Sequence, residues 1–269
     1  MLRAILRSLR TGVVTIDYPQ RPARVPERFR GAPAARENAR FDALPGPSCC
    51  PSGAIVGGPP GEEPPRQTID LGRCLFCGRC AEEAAGALEL GRQVELAAHT
   101  RTRLVVTLEP AAGGRVTAPP PPPDTEVAER IRRVLGRSLH LRHLDSGSCN
   151  ACDWELTALL NPVYDVRRLG IDFVASPRHA DGVVVTGPVT RNLETAVHRT
   201  WEAVPAPRVV IAVGACAVSG GIAGTSYASA GGVGEVLPVD VFIPGCPPRP
   251  EAILFGLLLA VGRIAEHSR

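Results

Sequence analysis

Residues 207–221 read PRVVIAVGACAVSGG. The run VVIAV is continuously apolar and mostly β-branched, bounded by Pro and Arg before it and Gly after it. That is the pattern of a strand buried on both faces. Comparable runs occur at 171–176 (IDFVAS), 181–187 (DGVVVTG) and 239–246 (VDVFIPGC). Helical patterns fall between or after them, at 153–160, 193–203 and 251–265. Strands of this kind interleaved with helices predict an α/β domain built on a parallel sheet. Cys216 and Cys246 follow their strands directly. Open α/β sheets bind ligands beyond the carboxyl ends of their strands, so both thiols are expected on the functional edge.

Upstream of this domain, at 124–269, lies a breaker segment at 109–123 that includes five consecutive prolines at 119–123. It favours extended polyproline geometry and reads as a spacer. Asp124 is a suitable N-cap for a helix over 126–138. Residues 41–108 form a smaller cysteine-bearing block that closes on two expected strands, 93–98 (QVELAA) and 102–109 (TRLVVTLE). Residues 1–40 carry nine Arg against Asp17, Glu27 and Glu37, a net charge of +6. Leu2, Ile5, Leu6 and Leu9 recur at helical spacing, mostly opposite Arg3, Arg7 and Arg10. This predicts a short amphipathic helix that either meets a partner or membrane surface or folds back on its own domain. Residues 19–48 read as extended chain. The basic head suits an acidic protein, nucleic acid, anionic lipid or plain solvent.

Composition narrows the function classes. The 269 residues are 44% apolar and 21% charged, which fits a globular chain and neither a disordered nor a polytopic membrane protein. All 30 basic residues are arginine. Schiff-base and phosphate-loop lysine chemistry is therefore excluded. Aromatics at 4% argue against a stacking platform for nucleic acid. The longest apolar run, AILFGLLLAV at 252–261, falls well short of the roughly 20 residues that span a bilayer. The N-terminus lacks the apolar core of a secretory signal. A cytoplasmic, reduced chain with nine clustered cysteines points to metal or redox chemistry rather than disulfides.

Cys74, Cys77 and Cys80 stand as C-x2-C-x2-C in RCLFCGRC. Three thiolates at this spacing wrap one face of a cubane iron–sulfur cluster. In the bacterial two-cluster pattern C-x2-C-x2-C-x3-C-P, the fourth cysteine of each motif ligates the other cluster. Cys50–Pro51 fits the tail of an earlier copy of that motif. The three partners expected upstream of Cys50 fall on Gly46, Ala43 and Arg40, and the one expected after Cys80 falls on Ala84. All four missing ligands belong to one cluster, and Cys50, Cys74, Cys77 and Cys80 belong to the other. The block resembles a two-cluster ferredoxin that retains a single [4Fe–4S] cluster. Zinc, which prefers two separated C-x2-C pairs, is the competing reading. Cys49 reads as a buried small residue.

Cys149 and Cys152 lie in SGSCNACDWE before a helical pattern, and with Cys216 and Cys246 they make four thiolates. Alone, the C-x2-C could equally be a redox dithiol or half a zinc site. The segments HLDSGSCNACDWE, SPRHADGVVVTGPVT, GACAVSGGI and PVDVFIPGCPPRPEAIL together resemble the small, cluster-bearing subunit of membrane-bound [NiFe] hydrogenases of the formate-hydrogenlyase type (group 4). That family is homologous to a cluster-bearing subunit of respiratory complex I, the NADH-quinone oxidoreductase. Residues 1–108, from RSLRTGVVTIDYP through RCLFCGRC, are similar to the two-cluster ferredoxin subunit of the same assemblies. The chain thus resembles a fusion of two neighbouring subunits.

The resemblance implies a flavodoxin-like fold preceded by a small α+β ferredoxin-like domain. It implies that Cys149, Cys152, Cys216 and Cys246 bind the [4Fe–4S] cluster nearest the active site of a large hydrogenase-like catalytic subunit, for two clusters in all. This chain would be the electron-transfer subunit, with no catalytic residue of its own. Further implied partners are membrane-arm subunits and an electron-carrier protein, with no nucleic acid. The implied location is peripheral, on the inner face of the cell membrane. The spacing Cys149-Asn150-Ala151-Cys152 is that of the hydrogenase branch, whereas complex I relatives carry adjacent cysteines there. Ala151 stands where glycine is commoner. Competing readings are a complex I-like quinone-reducing module and a zinc-binding assembly scaffold. Glu155 matches an acidic family position and either assists proton movement or is an ordinary helix N-terminal carboxylate. Arg249 either balances cluster charge or pairs on the surface. His143 and His179 are expected to be hydrogen-bonded structural residues. TGPVT at 186–190 reads as a turn lining the cluster edge rather than a nucleotide site.

Overall fold

The computed structural model describes residues 2–59, 61–62, 65–110, 116–117 and 138–264. The five prolines, and the helix expected over 126–138 apart from its last residue, lie outside them.

A five-stranded parallel sheet forms the larger half. Its strands are β7 (Leu139–Asp145), β8 (Ile171–Phe173), β9 (Gly182–Thr186), β11 (Val209–Val213) and β13 (Val241–Ile243). They lie side by side in the order β13-β11-β9-β7-β8. All their pairings are parallel. Counted within the sheet this is the order 2-1-3-4-5, the flavodoxin-like doubly wound arrangement. The parallel α/β sheet expected from the apolar runs and the flavodoxin-like fold implied by the resemblance are both observed. Every residue of β9 and β11 is buried, as their unbroken Val and Ile content requires. A short antiparallel pair, β10 (Val189–Thr190) with β12 (Ser229–Gly231), stands outside this sheet.

The strand β7 is the element the apolar runs did not disclose. Its sequence LHLRHLD alternates apolar with His and Arg, yet it pairs with both β8 and β9 near the middle of the sheet. The expected strand at 93–98 does not form. Residues 93–97 are irregular, and only Ala98 bridges to Phe242 at the sheet edge. The apolar run at 252–261 lies within or just beyond the helix Pro250–Ala260, every residue of which is buried. A helix apolar all round belongs in a core. Among the described residues no helix is long and apolar enough to cross a membrane.

The smaller half comprises an antiparallel sheet in the order β2 (Ile55–Gly57), β3 (Gln67–Asp70), β5 (Val105–Pro110), β6 (Val116–Thr117). A second antiparallel pair joins β1 (Pro33–Ala35) to β4 (Leu88–Leu90), and the short helix α2 (Arg79–Glu83) carries Cys80. Glu109 and Pro110 pair with Thr117 and Val116, so the first residues assigned to the spacer continue a hairpin. Ahead of them runs the helix α1 (Leu2–Thr11), with Leu6 and Leu9 exposed. The two halves share a hydrophobic cluster. Ile69, Leu71, Leu104 and Leu108 belong to the same buried group as Val183, Val185, Val210 and Ala212.

Candidate metal centres

The four cysteines of the larger half all lie beyond the carboxyl ends of the sheet strands. Cys149 and Cys152 follow β7, with Cys152 inside the helix α3 (Ala151–Ala158). After the helix α4 (Arg191–Glu202) and strand β11, Cys216 sits on α5 (Gly214–Ser219) rather than immediately at its strand end. Cys246 follows β13. The strand order reverses between β7 and β9, the point at which doubly wound sheets hold ligands. Cys152 is buried, Cys216 half-buried, and Cys149 and Cys246 exposed.

Their electrostatics report mutual proximity. Burial, then the charges of Cys216, Cys246, Asp153 and Cys149, push the Cys152 thiol up to about 12. Cys216 is raised by burial and by Cys246 and Cys149. Cys246 is raised by burial and by Cys149. Raised in this way the thiols keep their protons, and a bound cationic group is what would favour their thiolate forms. The backbone is cut to fit them. Gly214 has φ +90°, and a Cβ there would lie 2.5 Å from the Cys152 sulfur. Soft sulfur donors around a crevice fit an iron–sulfur cluster.

A hydrogen-bonded network that cysteine spacing does not disclose holds the Cys149–Cys152 loop. Asp145 accepts bonds from the amides of Gly147 (2.9 Å) and Ser148 (2.6 Å). The Ser148 hydroxyl donates to Asp153 Oδ2. The Thr186 hydroxyl donates to Asp153 Oδ1 at 2.7 Å. His143 Nε2 lies 2.8 Å from Asp153 Oδ1 and 3.0 Å from Thr186 Oγ1, geometry that places its proton on Nε2. Burial lowers the His143 pKa from the ordinary histidine value, against the pull of Asp153 and Asp145. The TGPVT turn thus contributes Thr186 to this loop. By contrast, His179 is exposed at the surface.

Glu155 is half-buried and its carboxyl is raised, by burial first and by Glu251, against the pull of Arg249. Arg249 does not float at the surface. It grips the buried Glu251 through Nε and Nη2, each at 3.2 Å.

Cys50, Cys74, Cys77 and Cys80 line one small pocket in the other half. Burial pushes Cys74 up to about 12, with Cys80, Cys50 and Cys77 adding to it. Cys80 rises to about 11, by burial first and then the charge of Cys49. For Cys50, burial is outweighed by donors from the Ser52 hydroxyl and the amides of Ser52, Ala54 and Ile55. The Ala54 amide lies 3.2 Å from its sulfur. Two of the positions where the sequence motif would call for further cysteines are filled by packed alanines. Ala84 is fully buried in a cluster with Cys49, Ala39, Ala87 and Leu88, and Ala43 packs against it. Arg40 points away to pair with Asp42 at 3.0 Å.

Comparison with known proteins covers part of the chain. The family described as NADH ubiquinone oxidoreductase, 20 Kd subunit, matches residues 149–260, which contain all four cysteines of the sheet edge. Over 137 residues the chain is 48% identical to the probable membrane-bound hydrogenase subunit mbhJ of Pyrococcus furiosus, covering 51% of this chain and 82% of that one. The chain belongs to this family. Formate hydrogenlyase subunit 7 of Escherichia coli is 44% identical over 52% of this chain and 55% of that one. An NADH-quinone oxidoreductase subunit of Citrifermentans bemidjiense is 47% identical over 43% of this chain and 68% of that one. Membership of the 20 Kd subunit family places the chain among subunits of oxidoreductase complexes, as its motifs implied. Cys50, Cys74, Cys77 and Cys80 fall outside the matched residues.

Proposed function

We propose that the chain is the electron-transfer subunit of a membrane-associated oxidoreductase complex and holds two [4Fe–4S] clusters. The observation that carries this reading is the convergence of Cys149, Cys152, Cys216 and Cys246 on the sheet's carboxyl edge, within the family-matched residues. The first cluster would be held by these four, the second by Cys50, Cys74, Cys77 and Cys80 in residues 41–108, with 124–269 forming the larger domain. Bound clusters supply one-electron chemistry. The chain's own contribution is to hold them, to direct amides such as that of Ala54 at their sulfurs, and to limit water. A zinc-binding scaffold is the competing reading, and the metal content of the purified chain separates the two.

Substrate chemistry belongs to a large partner subunit. Trp154 is 73% exposed on α3, and Ile222 and Tyr227 are exposed on the loop after α5, next to the ligand-bearing segments. Exposed apolar groups of this kind mark an interface. Membrane-arm subunits, an electron carrier and a position on the inner, cytoplasmic face of the cell membrane complete the reading. The basic helix α1 supports the last of these. The Cys149-Asn150-Ala151-Cys152 spacing favours a hydrogenase-type complex, while the family description and the NADH-quinone oxidoreductase relatives support a quinone-reducing one.

The test is a dithionite titration of the anaerobically purified chain, followed by electron paramagnetic resonance. Two reducible signals support the relay, and loss of one on Cys216→Ala assigns it. Retention of both signals in that variant overturns the assignment. Nickel in the co-purifying large subunit separates the hydrogenase reading from the quinone reading.

A further inference from the structure

The N-terminal segment between α1 and β1 runs as a strap over both halves of the molecule. Arg168 Nη2 donates to the carbonyls of Ile16 (2.8 Å) and Tyr18 (2.6 Å), which fixes the strap to the larger half. Arg92 Nη2 donates to the Val25 carbonyl at 2.8 Å, and Gly31 and Gly91 are joined by an amide–carbonyl bond of 2.9 Å, which fixes it to the smaller half. Between these anchors lie Phe29 and Arg30. They border a cleft whose walls include Leu75 and Phe76 from the first cysteine loop and Cys246 and Pro247 from the second.

The two residues divide their contacts between the two loops. Arg30 Nη1 donates to the carbonyl of Cys77. Its guanidinium lies over Gly78, where a Cβ would sit 3.6 Å from Arg30 Cζ. The Phe29 ring receives the guanidinium of Arg249 at 5.6 Å. Arg249 lies three residues after Cys246 and is fixed in turn by Glu251. A charge-assisted hydrogen bond on one side and a cation–π contact on the other connect the loops through a single dipeptide.

We propose that Phe29 and Arg30 are positioning residues that set the separation of the two cysteine loops, and so the electronic coupling between the groups those loops hold. The inference rests on the two-cluster reading above. Tunnelling and magnetic coupling both fall steeply with separation, so a small widening of the cleft is measurable without substrate or partner subunits. One electron leaves one cluster and arrives at the other, with no bond made or broken.

The test compares the wild-type chain, Phe29→Ala, Arg30→Ala, the double variant and Arg30→Lys, all purified without oxygen and reduced by dithionite. Iron content and circular dichroism are recorded beside the spin–spin interaction in the resonance spectrum. The expected result is unchanged iron, a coupling at least twofold weaker in the double variant, smaller losses in the single variants and near-wild-type coupling in Arg30→Lys. Unchanged coupling in the double variant at full iron content overturns the proposal. Loss of iron on Arg30→Ala overturns it too, because Arg30 would then hold its own loop rather than the spacing. If the double variant does not fold, the single variants decide. A wild-type chain that holds iron at only one site refutes the two-cluster reading and the inference with it. Two wild-type clusters without coupling refute the inference alone.

Discussion

Gly214→Ala probes the sheet-edge site through a single carbon atom. At φ +90° an alanine takes on left-handed backbone strain of about 1–2 kcal/mol. Its Cβ would also lie 2.5 Å from the Cys152 sulfur. Relieving that overlap moves the buried Cys152 side chain or the backbone, at about 1–3 kcal/mol more. Gly86 gives a matched reference. It has the same φ of +90°, and nothing lies within 4 Å of its would-be Cβ. The entropy that alanine removes from the unfolded chain is common to both variants and cancels. Gly214→Ala is therefore expected to be less stable than Gly86→Ala by about 1–3 kcal/mol in urea denaturation. It is also expected to lose about half of the iron, whereas Gly86→Ala keeps all of it. Equal stability and full iron in both variants would show that Cys152 is not seated against Gly214, and the reasoning would fail.

Three other outcomes follow from the same structure. Cys49→Ala should keep wild-type iron and cost about 1 kcal/mol of packing, while Cys50→Ala should lose the iron of the smaller half; equal iron in both would contradict the ligand assignment. Thr186→Val leaves Asp153 and His143 without a shared partner and should destabilise the folded chain by about 1–3 kcal/mol, seen as a lower urea midpoint at unchanged slope. Because folding lowers the His143 pKa, its neutral form contributes stability above the ordinary histidine value of about 6.5, and this is lost as pH falls through the lower folded value. His143→Gln should flatten that part of the stability profile, and an unchanged profile would remove His143 as its source.

The parts legible in the sequence were those set by short-range pattern. The Val-rich runs of β9 and β11 and the apolar helix at Pro250–Ala260 could only be buried, and cysteines at their ends could only emerge at one sheet edge. The C-x2-C-x2-C spacing likewise carried its chemistry within one short loop. The strand β7 was hidden because His140, Arg142 and His143 break its apolar pattern, although Leu139 and Leu141 are buried. With β7 unseen, the meeting of His143 with Thr186 was invisible too, since it depends on β7 lying beside β9. Val94 and Leu96 mimicked a strand by alternation, but their segment packs against the sheet edge with only Ala98 bridging to it. The strap has no periodicity, and its contacts are set by tertiary packing alone.

The two-cluster assignment meets its sharpest test in the iron and acid-labile sulfide content of the chain purified without oxygen, measured beside Cys74→Ala. Two sites predict about eight iron atoms per wild-type chain and about four in the variant. About four in the wild type, unchanged by Cys74→Ala, would contradict the assignment, and stoichiometric zinc without iron would contradict electron transfer by this chain altogether.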